Sequence, residues 1–161
     1  MASVKMPGLK KFARRLKSIE KSVSNTRRLH GESVVLYEQW VKRNFIKEGK
    51  LHDSSAKHWK KLSPITLHKR KTRKRAPKTT DDILRDFGWL YLKWSRTFND
   101  KQARFKSNQG YSSVHEHGGK SYLEDEKIWI IVPQRKIFPE KKQGKKIIRP
   151  AIDRYMKRAF K

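Results

Sequence analysis

The apolar residues Leu9, Phe12, Leu16, Ile19 and Val23 recur at steps of three and four, and the series resumes at Val34, Tyr37, Val41 and Phe45. That spacing places them on one face of a helix. Pro7 and Gly8 mark a start and Gly49 a stop. The segment therefore reads as one helix of about 55 Å at 1.5 Å per residue, or as two helices broken near Gly31. Its opposite face is nearly all Lys, Arg and Ser. An apolar stripe this narrow and long suits packing against a neighbouring subunit better than burial in a small core.

Further along, Ser63 before Pro64 predicts another helix start. A Ser hydroxyl can accept from the free N–H groups of a first turn, and Pro lacks an N–H that would find no partner there. The run from His68 to Arg75 then packs like charges together before Ala76-Pro77, so residues 68–78 are expected to form an exposed basic loop. Thr79 or Thr80 is placed to cap a short helix with Asp81 and Asp82 in its first turn, Ile83, Leu84 and Phe87 as its apolar face, and Gly88 as its terminator. Trp89 to Trp94 fits helix and strand equally well.

Alternation over Gln102–Ser107 and Lys127–Val132 predicts strands, with Tyr111–His117 between them as a short helix stopped by Gly118-Gly119. Ile148, Ile152, Tyr155, Met156, Ala159 and Phe160 predict a last amphipathic helix entered at Pro150. The sum is an α+β fold: a long N-terminal helix and a small antiparallel β-sheet with short helices packed on it.

Length and composition bound this picture. A chain of 161 residues fits one domain, read as an N-terminal helical arm over 1–49, a core over 50–138 carrying the basic loop 68–78, and a C-terminal segment with a short helix over 139–161. Hydrophobic residues make up only 35%, with five Trp, five Tyr and seven Phe, so the expected core is small and aromatic and oligomerisation would supplement it. The absence of Cys excludes disulfides and thiolate zinc sites. Apolar runs such as Ile128 to Val132 are far shorter than the roughly 20 residues of a membrane span. The first residues lack the apolar stretch of a secretory signal, which points to the cytoplasm during synthesis.

Charge adds a partner. The chain holds 42 Lys and Arg against 15 Asp and Glu, a formal +27, where roughly 2 to 8 suffices to keep a small domain soluble. The excess implies a polyanion: nucleic acid first, an acidic protein surface second. Lys69, Arg70, Lys71, Arg73, Lys74, Arg75 and Lys78 are the candidate contacts with DNA or an acidic partner. Contacts of that kind position a phosphate backbone without reading bases.

Catalytic constellations are sparse. Among six His, only His115-Glu116-His117 clusters, and residues two apart on a helix point in different directions. Together with Glu124, Asp125 and Glu126 they could at most form a metal-dependent nuclease set. No phosphate-cradling Gly loop and no nucleophile turn occurs, so no enzyme activity, cofactor or metal is expected.

Four spaced anchors carry a resemblance. They are Trp59-Lys60-Lys61-Leu62-Ser63-Pro64-Ile65-Thr66-Leu67; Ile83-Leu84-Arg85-Asp86-Phe87-Gly88-Trp89-Leu90; Tyr111 with His115-Glu116-His117-Gly118; and Val132-Pro133-Gln134-Arg135-Lys136-Ile137-Phe138. In that order they resemble the virion morphogenesis, or tail completion, family of tailed bacteriophages. Val132 stands where that family has Ile, and Lys136 where it has Pro. The resemblance implies a non-enzymatic ring, either a hexamer or a dodecamer, at the head-tail junction: a tail terminator or a neck ring. Its partners would be the tail tube, the portal or other neck proteins, and the double-stranded DNA in the channel. Its location would be the virion, after assembly in the host cytoplasm. On this reading Trp59, Arg135 and Phe138 serve a subunit or partner interface, Arg135 by clamping a carboxylate on the adjacent subunit. Gly88 and Gly118 make structural turns. A basic protein that binds nucleic acid without sequence preference is the alternative.

Overall fold

In the computed structural model, residues 8–52, 58–72, 82–84, 89–123 and 127–160 are described. Helix α1 (Leu9–Ser24) leads into α2 (Arg27–Ile46), followed by α3 (Pro64–Thr72) and the single turn α4 (Trp89–Leu92). Strands β1 (Trp94–Phe98) and β2 (Ala103–Ser107) come next, then α5 (Ser112–His117), β3 (Gly119–Leu123), β4 (Ile128–Val132) and the long α6 (Lys141–Ala159). The α+β class is as the sequence predicts. The sheet, however, is two separate antiparallel hairpins, β1 with β2 and β3 with β4. No helix among the described residues is long and apolar enough to cross a membrane.

The N-terminal pattern forms two helices, and the break falls at Asn25 rather than near Gly31. Asn25 leaves helical geometry at φ −90°, ψ 81°. Immediately after it, the tip of the β1–β2 hairpin docks: Thr26 Oγ1 donates to the Asp100 carbonyl, and His30 Nδ1 donates to Asn99 O at 2.7 Å. The tip is itself folded by Asn99, whose Oδ1 accepts from the amides of Lys101 and Gln102. Gly31 stays inside α2 for a different reason. A Cβ there would lie 3.1 Å from the Phe98 ring, so a glycine lets the hairpin close onto the helix.

Ser63 caps α3 as expected, its Oγ accepting from the Thr66 amide at 3.2 Å. The helix does not yield to a loop at His68; it continues to Thr72, so residues 68–72 of the expected basic loop are helical. The expected cap at Thr79 or Thr80 and the terminator Gly88 lie outside the described residues. Trp89 to Trp94 resolves into both alternatives, one helical turn and then the first residue of β1. At the C-terminus α6 starts at Lys141, nine residues before Pro150, which therefore sits inside the helix. A capping box between Glu140 and Gln143 sets the earlier start. Pro150 removes one amide from the ladder at an exposed position of the helix.

The core is aromatic, as the composition predicts. Val41, Phe45, Trp59, Ile83, Leu90 and Ile137 are buried together. Phe45 meets Trp59 edge-on at 5.2 Å, and Trp94 stacks on Phe105 at 4.8 Å. Such pairs add roughly 0.5–1.5 kcal/mol each beyond area burial. On the other side α6 crosses α2 through Glu32, which accepts from Arg28 on its own helix and from Arg154 and Arg158 on α6.

After α2 the chain must reverse sharply to bring Trp59 under Phe45. Gly49 makes the reversal at φ +82°, and a Cβ there would lie 2.4 Å from Trp59 Cδ1. Both the backbone and the packing therefore require glycine. Gly49→Ala is expected to destabilise the chain by about 1–3 kcal/mol and to loosen Trp59, which urea titration followed by Trp fluorescence measures directly.

Candidate interaction surfaces

Residues Arg135 to Phe138 form an extended segment that belongs to neither hairpin. Ile137 is fully buried, so its backbone polar groups must find partners inside the protein. Side chains supply them. The Lys136 carbonyl accepts from Asn44 Nδ2 at 3.0 Å, His52 Nε2 at 2.9 Å and Trp59 Nε1 at 2.9 Å. The Ile137 carbonyl accepts from Asn44 Nδ2 at 3.3 Å. Glu116 Oε2 accepts from the amides of Ile137 at 2.6 Å and Phe138 at 3.2 Å, and the Arg135 amide donates to His115 O at 2.6 Å. Three of the four sequence anchors thus meet on one buried segment.

These contacts revise several expected roles. Trp59 is buried, with its indole N–H held within the chain, and does not form an accessible subunit interface. Phe138 is half-buried and packs against Tyr37, Trp94 and Phe105. Arg135, expected to clamp a carboxylate on the adjacent subunit, is only 6% exposed and so presents little of its surface. Gly118 makes the turn expected of it, at φ +73°, with the Gln134 backbone 3.0 Å from where a Cβ would stand.

The basic run divides. Lys71 is exposed and Lys69 lies on α3, while Arg73, Lys74, Arg75 and Lys78 lie outside the described residues. Arg70 departs from expectation: it is buried, and its Nη1 donates to the Asp82 carbonyl at 2.8 Å. Its position three residues after Leu67, on the same helix face, is the sequence signal for this. Uniform charge along the run hid that periodicity.

His115, Glu116 and His117 diverge as their spacing requires. The Glu116 carboxylate faces inward onto backbone amides, with Lys136 Nζ at 3.6 Å, whereas His117 is exposed. Glu124 to Glu126 lie outside the described residues. No group of three His, Asp or Glu positioned to hold a metal occurs among the described residues.

Exposed cations gather in two other places. On α1, Lys10, Lys11, Arg14, Arg15, Lys17 and Lys21 are all exposed. The first turns of α6 carry exposed Lys141, Lys142, Lys145 and Lys146, with no acidic residue in the first turn. Cations at that end oppose the helix dipole, a cost that the Glu140 carboxylate of the capping box offsets in part. A helix entered at Pro150 would leave these lysines outside it, so the sequence pattern alone does not group them on one element.

Apolar residues also remain uncovered. On α1 the stripe predicted from spacing faces solvent, with Phe12 60% exposed and Leu9 and Leu16 about half exposed. On the β3–β4 hairpin Trp129 and Ile131 are 69% and 81% exposed, and Tyr122 lies beside Trp129 across the strands. Separately, a groove of about 420 Å³ runs between α2, β2 and α6, lined by Leu29, Val34, Tyr37, Phe105, Ile148 and Ile152.

Comparison with protein-family models, curated proteins and solved structures finds no match to this chain.

The His115 ring is half-buried beside Arg135, and its Nδ1 is buried without a partner. Burial, reinforced by the Arg135 charge, pushes its pKa down from 6.5 to about 4. Between those values the unfolded chain binds more protons than the folded one, so stability is full above about pH 6.5 and declines as pH falls toward 4. Thermal melts across this window are expected to show that decline, and His115→Phe is expected to make it shallower.

Proposed function

We propose that this chain is a structural subunit of the head-tail junction of a tailed bacteriophage, a tail-completion, terminator or neck ring that joins tail to head and surrounds the DNA exit channel. The observation that carries this reading is the pairing of uncovered apolar surfaces with a separate apolar groove. The exposed stripe of α1 and the outer face of β3–β4 lie on different elements from the groove between α2, β2 and α6. A contact between unlike patches is head-to-tail, and repetition through a closing rotation makes a ring. Ordered anchors add support, because three of them converge on the segment 135–138 and so behave as one constellation rather than as scattered coincidences.

Charge fits the same reading. A ring around a DNA channel gathers many phosphates near its subunits, which offsets the mutual repulsion of chains at +27 each. The function is assembly rather than catalysis, and its place is the virion. Copy number is proposed as six.

The exposed lysines of α6 and the basic face of α1 favour a second reading, sequence-independent binding of nucleic acid as the primary activity. The two readings separate in solution. Under the first, the full chain mixed with its tail or neck partners forms discrete rings by negative-stain imaging and mass photometry. Phe12→Ser with Leu16→Ser should abolish the rings while leaving the melting temperature nearly unchanged, since exposed substitutions usually shift stability by no more than about 0.5 kcal/mol. Persistent monomers, together with DNA affinity that falls by orders of magnitude between about 50 and 200 mM salt, would favour the second.

A further inference from the structure

Among the described residues no counter-charge pairs with Arg135. The residue is 6% exposed, its Nε is shut away from solvent without a hydrogen bond, and no described carboxylate pairs with it. Its position is fixed on both sides: the Arg135 amide donates to His115 O, and the next residue's carbonyl receives Asn44, His52 and Trp59.

Its surroundings raise the cost of burial. Arg70, also buried, is a second guanidinium close enough to repel it, and burial together with that repulsion lowers the pKa of Arg135 below the usual arginine range. The nearest titratable neighbour on α5, His115, is neutral near pH 7 and supplies no negative charge. Glu116, the buried carboxylate on the same short helix, faces the Ile137 and Phe138 amides and Lys136. An isolated buried ion costs several kcal/mol, and proteins retain one where an oppositely charged group completes the site.

Because Nε is sealed off, the terminal nitrogens of this 6% exposed side chain remain the way in, and a planar fork this deeply recessed selects the shape of its anion. A carboxylate at the tip of a side chain can reach into such a recess. A duplex phosphate, set in a broad convex backbone, is better met by the exposed lysines of α1 and α6. We propose that Arg135 is a receptor for a single carboxylate side chain of a neighbouring protein chain, so that its own charge finds its partner on assembly. The inference rests on the ring reading for the source of the carboxylate, whereas the site itself can be tested on the isolated chain.

The test is thermal unfolding of the full-length chain in sodium acetate, sodium phosphate and sodium chloride at matched ionic strength. Wild type, Arg135→Met and Arg135→Lys are compared. Acetate at about ten times its Kd should raise the Tm of wild type over chloride by about 3 to 6 °C. Arg135→Met should lose that increment and in chloride melt no lower than wild type, since it removes an unpaired buried charge; a merely structural arginine would lower the Tm. Arg135→Lys keeps the charge without the fork and should retain under half of the increment, which also covers the case that Arg135→Met fails to fold. Equal acetate increments in all three proteins would overturn the proposal, as would an Arg135-dependent increment for phosphate that exceeds that for acetate. An Arg135-dependent acetate increment in a chain that never forms rings sustains the site and removes the ring reading; rings that form equally well with Arg135→Met, with no acetate effect, do the reverse.

Discussion

The rest of the structure depends on one constraint: residues 135–138 run through the interior without a neighbouring strand, so their buried backbone groups need partners other than a strand ladder, most of them side chains. An unsatisfied buried amide or carbonyl costs roughly 1–3 kcal/mol. Asn44 on α2, His52 and Trp59 in the chain beyond it, and Glu116 on α5 supply these partners from three separate parts of the sequence. Each element is consequently fixed relative to the others through a single strand of chain. This arrangement explains why a protein with a small apolar fraction can still place a long α2, two hairpins and α6 in definite relation.

The same constraint explains the polar residues that sequence patterns cannot interpret. Asn44 lies three residues after Val41 and seven after Tyr37, on the apolar face of α2, but that spacing does not say what its amide would bond. Its role appears when the partner segment, more than ninety residues later, is brought beside it. Glu116 behaves likewise. In isolation His115-Glu116-His117 suggests a metal or nuclease site, whereas in the fold the carboxylate substitutes for a missing strand.

Local signals were legible where local chemistry decides. Ser63-Pro64 set the start of α3, the alternation around Phe105 set β2, and Gly118 ended α5 at positive φ. The apolar spacing of α1 correctly identified a face that the chain itself does not cover. Errors fell where tertiary contacts override local preference. Docking of the hairpin tip at Thr26 and His30 moved the helix break from Gly31 to Asn25, the capping box at Glu140 carried α6 through Pro150, and Leu67's face drew Arg70 into the interior. The interaction surfaces were legible in part: the α1 stripe and its basic face were, the α6 lysines were not. The buried, unpaired state of Arg135 could not be read from sequence, because it depends on where Glu116 points.

An interior segment held by side chains should open only when the whole domain opens, since its partners come from elements that pack together. Amide hydrogen exchange at Ile137 and Phe138 measures this most directly. Their exchange is predicted to be as slow as that of the most protected amides of α2, with an opening free energy equal to that of global unfolding. Exchange at rates matching the exposed loop amides of Asn108 or Gly110 would contradict the structure's dependence on this segment.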